Sequence, residues 1–292
     1  MDIYLQLAAN GLLIGGIYAL VSIGLTLIYG VMKIINFAHG EYIMLSMYFT
    51  YWLNVKLGFD PYLSLLLLIP SMFVVGVLVY RLTLHPIIHR QQQLTILMTM
   101  GLMILLQNIA LMLWKADVRG IQLSYSIKTL GLGDIRLSVT RLISFGVALL
   151  TAVALKIILD KTWIGRSIKA ASQSPQAAKL MGVDTRKTYM IAFGIGIAVV
   201  GIAGVSLSPI FNVYPLVGTQ FGTLSFVIVV LGGLGSVAGA FLGGLIIGLV
   251  STFSGFFLPT GYTEAVYLGI FLLVLLFRPN GLLGKASAGG GK

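Results

Sequence analysis

Long stretches without charged side chains dominate this chain and are separated by short basic segments. Ile3–Met32 carries no charge over 30 residues, and 188–263 carries no Asp, Glu, Lys, Arg or His over 76 residues. A helix needs about 20 apolar residues to cross a bilayer. At about 1.5 Å per residue the longer stretch suffices for three crossings. The pattern predicts an all-α, polytopic bundle of transmembrane helices.

The boundaries of the spans follow from charges and turn residues. Outside 188–263, the apolar stretches predict spans at about 3–32, 40–55, 62–80, 94–114, 142–159 and 265–277. Pro209, Pro215 and the segment Gly232-Gly-Leu-Gly-Ser236 divide the longest stretch. The piece 221–231 is short for a span, so a half-helix near 221–236 that turns back is an alternative. The bundle therefore has eight or nine predicted spans.

Lysine and arginine residues give the predicted orientation. If the loop 160–187 is cytoplasmic, the inner side holds 13 of the 19 basic residues and the outer side holds 6. Cytoplasmic loops of membrane proteins carry the excess of basic residues, so the N-terminus is expected outside and the C-terminus inside. The first span is too long for a signal peptide and has no basic leader, so we expect it to be retained.

The composition excludes several classes of protein and site. Hydrophobic residues make up 58% of the chain, charged residues 9%, and cysteine is absent, which excludes a soluble globule, a disulfide scaffold and a thiolate metal site. The net charge of +11 reflects basic residues between spans, so no nucleic-acid partner is expected. Pro86 separates His85 from His89, which argues against a metal site. No catalytic grouping is present, and we do not expect an enzyme.

One membrane domain, residues 1–284, is predicted, followed by a flexible tail at 285–292. Glycines recur every fourth residue, and such spacing lets helix backbones approach closely. The predicted contact lies within the chain or at a subunit interface. The glycines concerned are Gly11 and Gly15, the series Gly235, Gly239 and Gly243, and the pair Gly244 and Gly248.

The 160–187 loop contains the clearest local signals. Ser174 suits a helix N-cap, Pro175 the first helical position and Gly182 the left-handed residue after the end. They predict a helix of about seven residues, preceded by a second helix bearing Arg166 and Lys169. A two-turn helix is not stable alone in water. It is either a basic connector on the lipid headgroups or a docking helix that fits a groove on a cytoplasmic partner.

The same loop carries the first of four motifs that together identify a family. Its Gly-Arg and Ala-Ala-x-Leu-x-Gly pattern resembles the coupling loop of ABC importer permeases. Ile35-Asn-Phe-Ala-His-Gly-Glu41, Leu231-Gly-Gly-Leu-Gly-Ser236 and Arg278-Pro-Asn-Gly-Leu282 extend the likeness over 5–284. The chain resembles the branched-chain amino acid permeases of the LivH/LivM type, and is closer to LivH. By this resemblance the residues expected to couple to ATPases are Gly165, Arg166, Lys169, Ala177, Ala178, Leu180 and Gly182.

The resemblance implies a multi-pass permease subunit in the bacterial inner membrane. A second, LivM-like permease, two cytoplasmic ATPases and a periplasmic or lipid-anchored binding protein would complete the importer, and amino acids would be its substrates. The chain shows no ATP site of its own, because its nearest P-loop likeness, 279–286, has Pro at the first Gly and Ala in place of Ser or Thr. No cofactor is expected, and ATP would be bound by the partner subunits.

Polar residues in apolar surroundings are the candidates for the translocation path or gate. Asn36, His39 and Glu41 lie at the joint of the first two spans, which is either a capped turn at headgroup depth or a point near the inner gate and the neighbouring subunits. Gln107 is either a link between helices or a substrate contact. Broken backbone is tolerated at membrane depth where it lines a cavity, which adds Gly232, Gly233, Gly235 and Ser236.

Two alternatives to the leading function stay open. A permease of the same family could carry urea or short amides. A stand-alone channel or ion-coupled carrier usually needs an acidic group within the membrane. Here the only candidates are Glu41 and Glu264, both near span ends.

Overall fold

Eleven helices and one β-hairpin make up the part of the chain that the computed structural model describes, residues 2–88, 91–133, 135–259, 261–278 and 280–284. The helices are α1 Asp2–Met32, α2 His39–Leu57, α3 Leu65–Val79, α4 Gln92–Trp114, α5 Val139–Lys161, α6 Trp163–Gln173, α7 Pro175–Leu180, α8 Thr185–Leu207, α9 Val217–Gly232, α10 Val237–Phe257 and α11 Tyr262–Phe277. A π-helical turn, Tyr80–Leu84, extends α3. Strands β1 Thr129–Leu132 and β2 Ile135–Ser138 pair antiparallel.

Within the described ranges, six helices are long and apolar enough to cross a membrane: α1, α3 with its π turn, α4, α5, α8 and α10. The prediction of a polytopic helical membrane protein is thereby confirmed. Helices α9 and α11 have 16 residues each, about 24 Å of helix, which is less than the roughly 30 Å of a hydrocarbon core. The count of eight or nine spans stays a prediction.

Helices α1 and α8 form the centre of the bundle. In the most apolar window of each helix, 89% of the residues of α1 and 78% of those of α8 are buried, against 11% in α4, 17% in α5 and 22% in α3. The three outer helices therefore present most of their surface to lipid or to other subunits.

Glycines allow α1 and α10 to run antiparallel in close contact. A Cβ added at Gly15 would lie 2.7 Å from the Cα of Leu245, and one added at Gly248 would lie 2.2 Å from the Cα of Gly15. Farther along, Gly30 faces Gly235. The glycine spacing thus serves packing within the chain, the first of the two predicted alternatives.

The loops gather at two ends of the bundle. At one end the hairpin joins the start of α1, because Gln6 and Arg136 exchange two hydrogen bonds of 2.7 Å. At the same end the Tyr125 hydroxyl donates to Asp60 at 2.6 Å. The 160–187 loop follows the other end of α5. This separation of the two loop groups agrees with the prediction that the N-terminus and the 160–187 loop lie on opposite sides of the membrane, whereas the side that faces the cytoplasm stays a prediction.

Candidate functional site

The joint between α1 and α2 folds back into the bundle. The chain reverses at Lys33, whose φ is +57°, and 33–38 return along α1. His39 Nε2 then lies 2.9 Å from the carbonyl oxygen of Val21, eleven residues before α1 ends, which is about 16 Å of helix. Asn36, His39 and Glu41 are all buried, so this joint packs inside the bundle, whereas its depth in the membrane stays a prediction.

Two glycines bring the first turns of α2 and α9 together. A Cβ added at Gly40 would lie 1.9 Å from the carbonyl oxygen of Gly218, and one added at Gly218 would lie 2.6 Å from Oε2 of Glu41. Both helix N-termini therefore lie close to the Glu41 carboxylate. Helix N-termini carry partial positive charge, which stabilises a nearby anion.

Gln107 of α4 connects α2 to α9. Its Nε2 donates to Glu41 Oε1 and to the hydroxyl of Thr219, both at 2.8 Å. Gln107 is therefore a link between helices, the first of the two alternatives that the sequence left open. Whether it also contacts a substrate stays a prediction. Its neighbour Asn108 is exposed and donates to the carbonyl of Ile104 in its own helix.

These polar residues surround a cavity of about 210 Å³, here called the polar cavity. Its polar lining comes from Asn36, His39, Glu41, Thr219 and Thr223. Apolar side chains of α1, α4, α9, α11 and the joint 33–38 contribute to the remaining wall. The structure therefore brings together three of the predicted path residues, with the fourth, Gln107, hydrogen-bonded to Glu41.

Thr219 and Thr223 are site residues that the sequence reasoning missed. They lie four apart on α9, so they share one helix face. The signal was present, because Gly218, Thr219, Gly222 and Thr223 interrupt an otherwise apolar stretch with small and hydroxyl side chains.

The Gly232–Ser236 break lies apart from the polar cavity and lines no part of it. Gly233 and Gly235 adopt φ of +105° and +87°, and Ser236 caps α10 by accepting from the Gly239 amide at 3.1 Å. The amides of Leu282 and Leu283 donate to the carbonyls of Leu231 and Gly232. The break is thus a tight joint, held by α1 and by the segment 280–284. A role for Gly232, Gly233, Gly235 or Ser236 in translocation stays a prediction.

The 160–187 loop contains the two helices that the sequence predicted, α6 and α7. The Ser174 hydroxyl accepts from the Ala177 amide at 3.2 Å, Pro175 begins α7, and Gly182 has φ of +83°. Helix α7 spans six residues rather than seven. Gly165, Ile168 and Ala171 form the buried face of α6, so this helix is attached to the bundle.

The exposed side of α7 differs from the predicted docking face. Ala178 is only 4% exposed, whereas Leu180 and Met181 are 88% and 84% exposed. Ala178 therefore packs within the chain and offers no surface to a partner, which corrects its expected role. Ala177 is exposed beside the two large apolar side chains.

The other expected coupling residues divide into internal contacts and exposed groups. Gly165 packs against α5, where a Cβ would lie 2.3 Å from the carbonyl oxygen of Ile158. Lys169 forms an ion pair with Asp160, and the exposed Arg166 lies over the Trp163 ring.

Asp184 is the N-cap residue of α8. Its carboxylate accepts a hydrogen bond from the Lys187 amide at 3.0 Å, and this bond lowers the pKa of the Asp184 carboxyl. The cap of α8 is therefore ionised at neutral pH.

Replacing Ser174 with alanine is expected to loosen α7 by about 1 kcal/mol, the usual contribution of a serine N-cap. The Ala177 amide loses its only capping partner, so its hydrogen exchange should accelerate. Exchange mass spectrometry of peptides covering 170–184 measures this. Ser172→Ala is the control, because the Ser172 hydroxyl donates only to the Lys169 carbonyl in α6. Equal exchange in both variants would contradict the cap.

Some predictions fall on residues outside the described ranges. These are His89 of the histidine pair, Pro279 of the last motif, and the tail 285–292 with Lys285.

The comparison with known proteins decides the family. The family model "Branched-chain amino acid transport system / permease component" matches residues 7–275. The chain belongs to this permease family. The chain is therefore a multi-pass inner-membrane protein, and its interpretation as a permease subunit of an ABC importer is confirmed.

Several curated relatives match this chain over nearly its whole length and over nearly the whole of their own length. The high-affinity branched-chain amino acid transport system permease protein BraD of Pseudomonas aeruginosa is 30% identical, over 97% of this chain and 96% of its own length. The corresponding LivH of Escherichia coli K12 is 32% identical over the same shares. The probable LivH of Methanocaldococcus jannaschii is 28% identical, over 94% of this chain and 91% of its own length. No solved structure matches the chain significantly.

Proposed function

We propose that this permease moves branched-chain amino acids inward, and that ATPase subunits drive it through the 160–187 loop. The exposure of Leu180 and Met181 at the end of α7 carries the coupling part of the proposal. Large apolar side chains that are exposed on a short helix are typical of a docking surface. The substrate class is that of the relatives' names. ATP would be bound by the ATPase subunits, and this chain would need no cofactor.

A second permease subunit, LivM-like by resemblance, would cover the mouth of the polar cavity. Thr219 lines the cavity and is exposed. Asn108 and Gln220, the sequence neighbours of Gln107 and Thr219, are exposed as well. Polar side chains facing lipid are costly, so a partner that encloses them with a path between the two subunits explains their position. The low burial of α4 agrees with such a partner.

The remaining arrangement follows from the orientation predicted by the basic residues. The 160–187 loop would lie in the cytoplasm above two ATPases. The opposite end, with the hairpin and the N-terminus, would receive a periplasmic or lipid-anchored binding protein. Gly165, Lys169 and Ala178 would hold the loop to the bundle, whereas Arg166, Ala177 and Leu180 would face the ATPase.

Uptake by the complete importer in proteoliposomes tests the proposal. Radiolabelled leucine should accumulate only when both permeases, the ATPases, the binding protein and ATP are present. Uptake by this chain alone would contradict the proposal and favour a stand-alone channel or carrier. Accumulation of urea in place of leucine would contradict the substrate class while leaving the coupling intact.

A further inference from the structure

The polar cavity holds three buried polar atoms without hydrogen-bond partners. They are Asn36 Nδ2, His39 Nδ1 and Glu41 Oε2, on side chains that are 3%, 1% and 1% exposed. Buried polar groups are nearly always satisfied in native proteins. Ten buried side-chain atoms in the described ranges lack a partner, and the grouping of three of them on residues that line one cavity indicates that a ligand binds there.

The hydrogen bonds made by the other atoms of these side chains define what the three unpaired atoms can bind. The Val21 carbonyl can only accept, so His39 Nε2 carries the hydrogen and Nδ1 of the neutral ring presents a lone pair. Glu41 Oε1 already accepts from Gln107, which leaves Oε2 free. The cavity thus offers two acceptors, one of them a carboxylate, and one donor, the Asn36 amide.

A cation is the ligand that the two acceptors and one donor of the polar cavity lack. No lysine or arginine in the described ranges pairs with the Glu41 carboxylate, since the ion pairs there involve Asp117, Asp160 and Asp184. A buried carboxylate without a cation beside it is costly. Hard metal ions require several oxygen ligands, whereas here one acceptor is an imidazole nitrogen. A hydrogen-bonding ammonium group suits both acceptors.

The rest of the cavity suits a small apolar side chain. Leu25, Met103, Val227, Leu268 and Phe271 contribute to its wall. Its volume of about 210 Å³ lies below the roughly 300–1,000 Å³ of sites for drug-sized ligands. An ammonium group next to a short aliphatic chain is the chemistry that fits.

We propose that the polar cavity is a binding site on the path for the substrate's ammonium group, with Glu41 as its acceptor and His39 beside it. The Asn36 amide donates to the substrate carboxylate, and the apolar wall takes the aliphatic side chain. This inference rests on the proposed function, because it assigns a chemical role to a site on that path. Gln107 is a positioning residue, which orients Glu41 from α4.

Glu41→Gln in the complete reconstituted importer tests the assignment. This substitution keeps the shape of the side chain and removes its charge. Leucine uptake is expected to fall about tenfold or more, the usual effect of removing one charge from a buried charged contact. ATP hydrolysis stimulated by the binding protein should persist, since the ATPases and the 160–187 loop are unchanged. Thr50→Val is the matched control on α2, because the Thr50 hydroxyl is buried and donates only to the Ser46 carbonyl.

Binding to the unaltered complex in nanodiscs, without the binding protein, provides a second measurement. The probes are isopentylamine, which has the ammonium group and the branched chain, and 4-methylpentanoate, which has the same chain and a carboxylate. Saturation-transfer NMR should show at least about tenfold preference for the amine, and Glu41→Gln should abolish that preference.

Each outcome separates this inference from the proposed function. Glu41→Gln uptake within about twofold of the unaltered importer, or equal binding of the two probes, overturns the ammonium site and leaves the importer assignment intact. Failure of the unaltered complete importer to take up leucine overturns the proposed function instead.

Discussion

Replacing Leu180 with aspartate should separate the permease from its ATPases and reduce leucine uptake about tenfold or more. Leu180 is exposed in the subunit itself, so the substitution removes no internal contact. In a docked complex the new carboxylate would be buried against an apolar groove without a partner, which is strongly unfavourable. Co-purification of the ATPases in detergent and uptake in proteoliposomes measure the effect.

Two companion variants isolate the cause. Gln122→Asp introduces the same charge at an exposed position in the loop group at the opposite end of the bundle and should leave co-purification unchanged. A carboxylate at the end of α7 also opposes the helix dipole, so Leu180→Lys, which carries the favourable sign, should weaken docking as well. Normal co-purification of both Leu180 variants would show that α7 does not dock there.

Replacing Gly15 with leucine should prevent α1 and α10 from packing and should destabilise the bundle by about 3 kcal/mol or more. The new Cβ would lie 2.7 Å from the Cα of Leu245 and 2.9 Å from the carbonyl oxygen of Gly244. Both are backbone atoms, so no side-chain rotation relieves the clash and the helices must separate. The yield of monodisperse protein and the midpoint of thermal unfolding in detergent measure the loss.

Gly101→Leu provides the control for the Gly15 variant. Gly101 lies inside α4, and a Cβ there would meet nothing within 4 Å. Helix propensity alone favours leucine over glycine by about 1 kcal/mol, so this variant should be at least as stable as the parent. If Gly15→Leu and Gly101→Leu unfold at the same temperature, close packing of α1 on α10 is not a source of stability.

Helix positions were predictable from the sequence because lipid imposes a strong rule on composition. Charges and turn residues mark where helices end, so the breaks near Pro209 and after Gly232 appear close to their predicted places. The caps of α7 were predictable for a similar reason, since Ser174, Pro175 and Gly182 each satisfy a local backbone requirement. These features depend on neighbours within a few residues.

The polar cavity depends on contacts between distant parts of the chain, and the sequence indicated only its components. Asn36, His39, Glu41 and Gln107 were recognised as unusual, but their meeting requires 33–38 to fold back along α1. That path is set by tertiary packing at Gly40 and Gly218, which no local pattern reports. Ala178 illustrates the same limit, because a small side chain suits an internal contact as well as an external one.

The hydrogen bond between Gln107 and Glu41 has a consequence for biosynthesis. Its two residues are 66 positions apart, and Thr219, which shares the Gln107 amide, comes 112 positions later still. Glu41 of α2 therefore leaves the ribosome well before Gln107 and Thr219 have been translated. Until α4 and α9 arrive, that carboxyl must be sheltered by water or by the insertion machinery, so the amino-terminal helices cannot complete their assembly ahead of the rest.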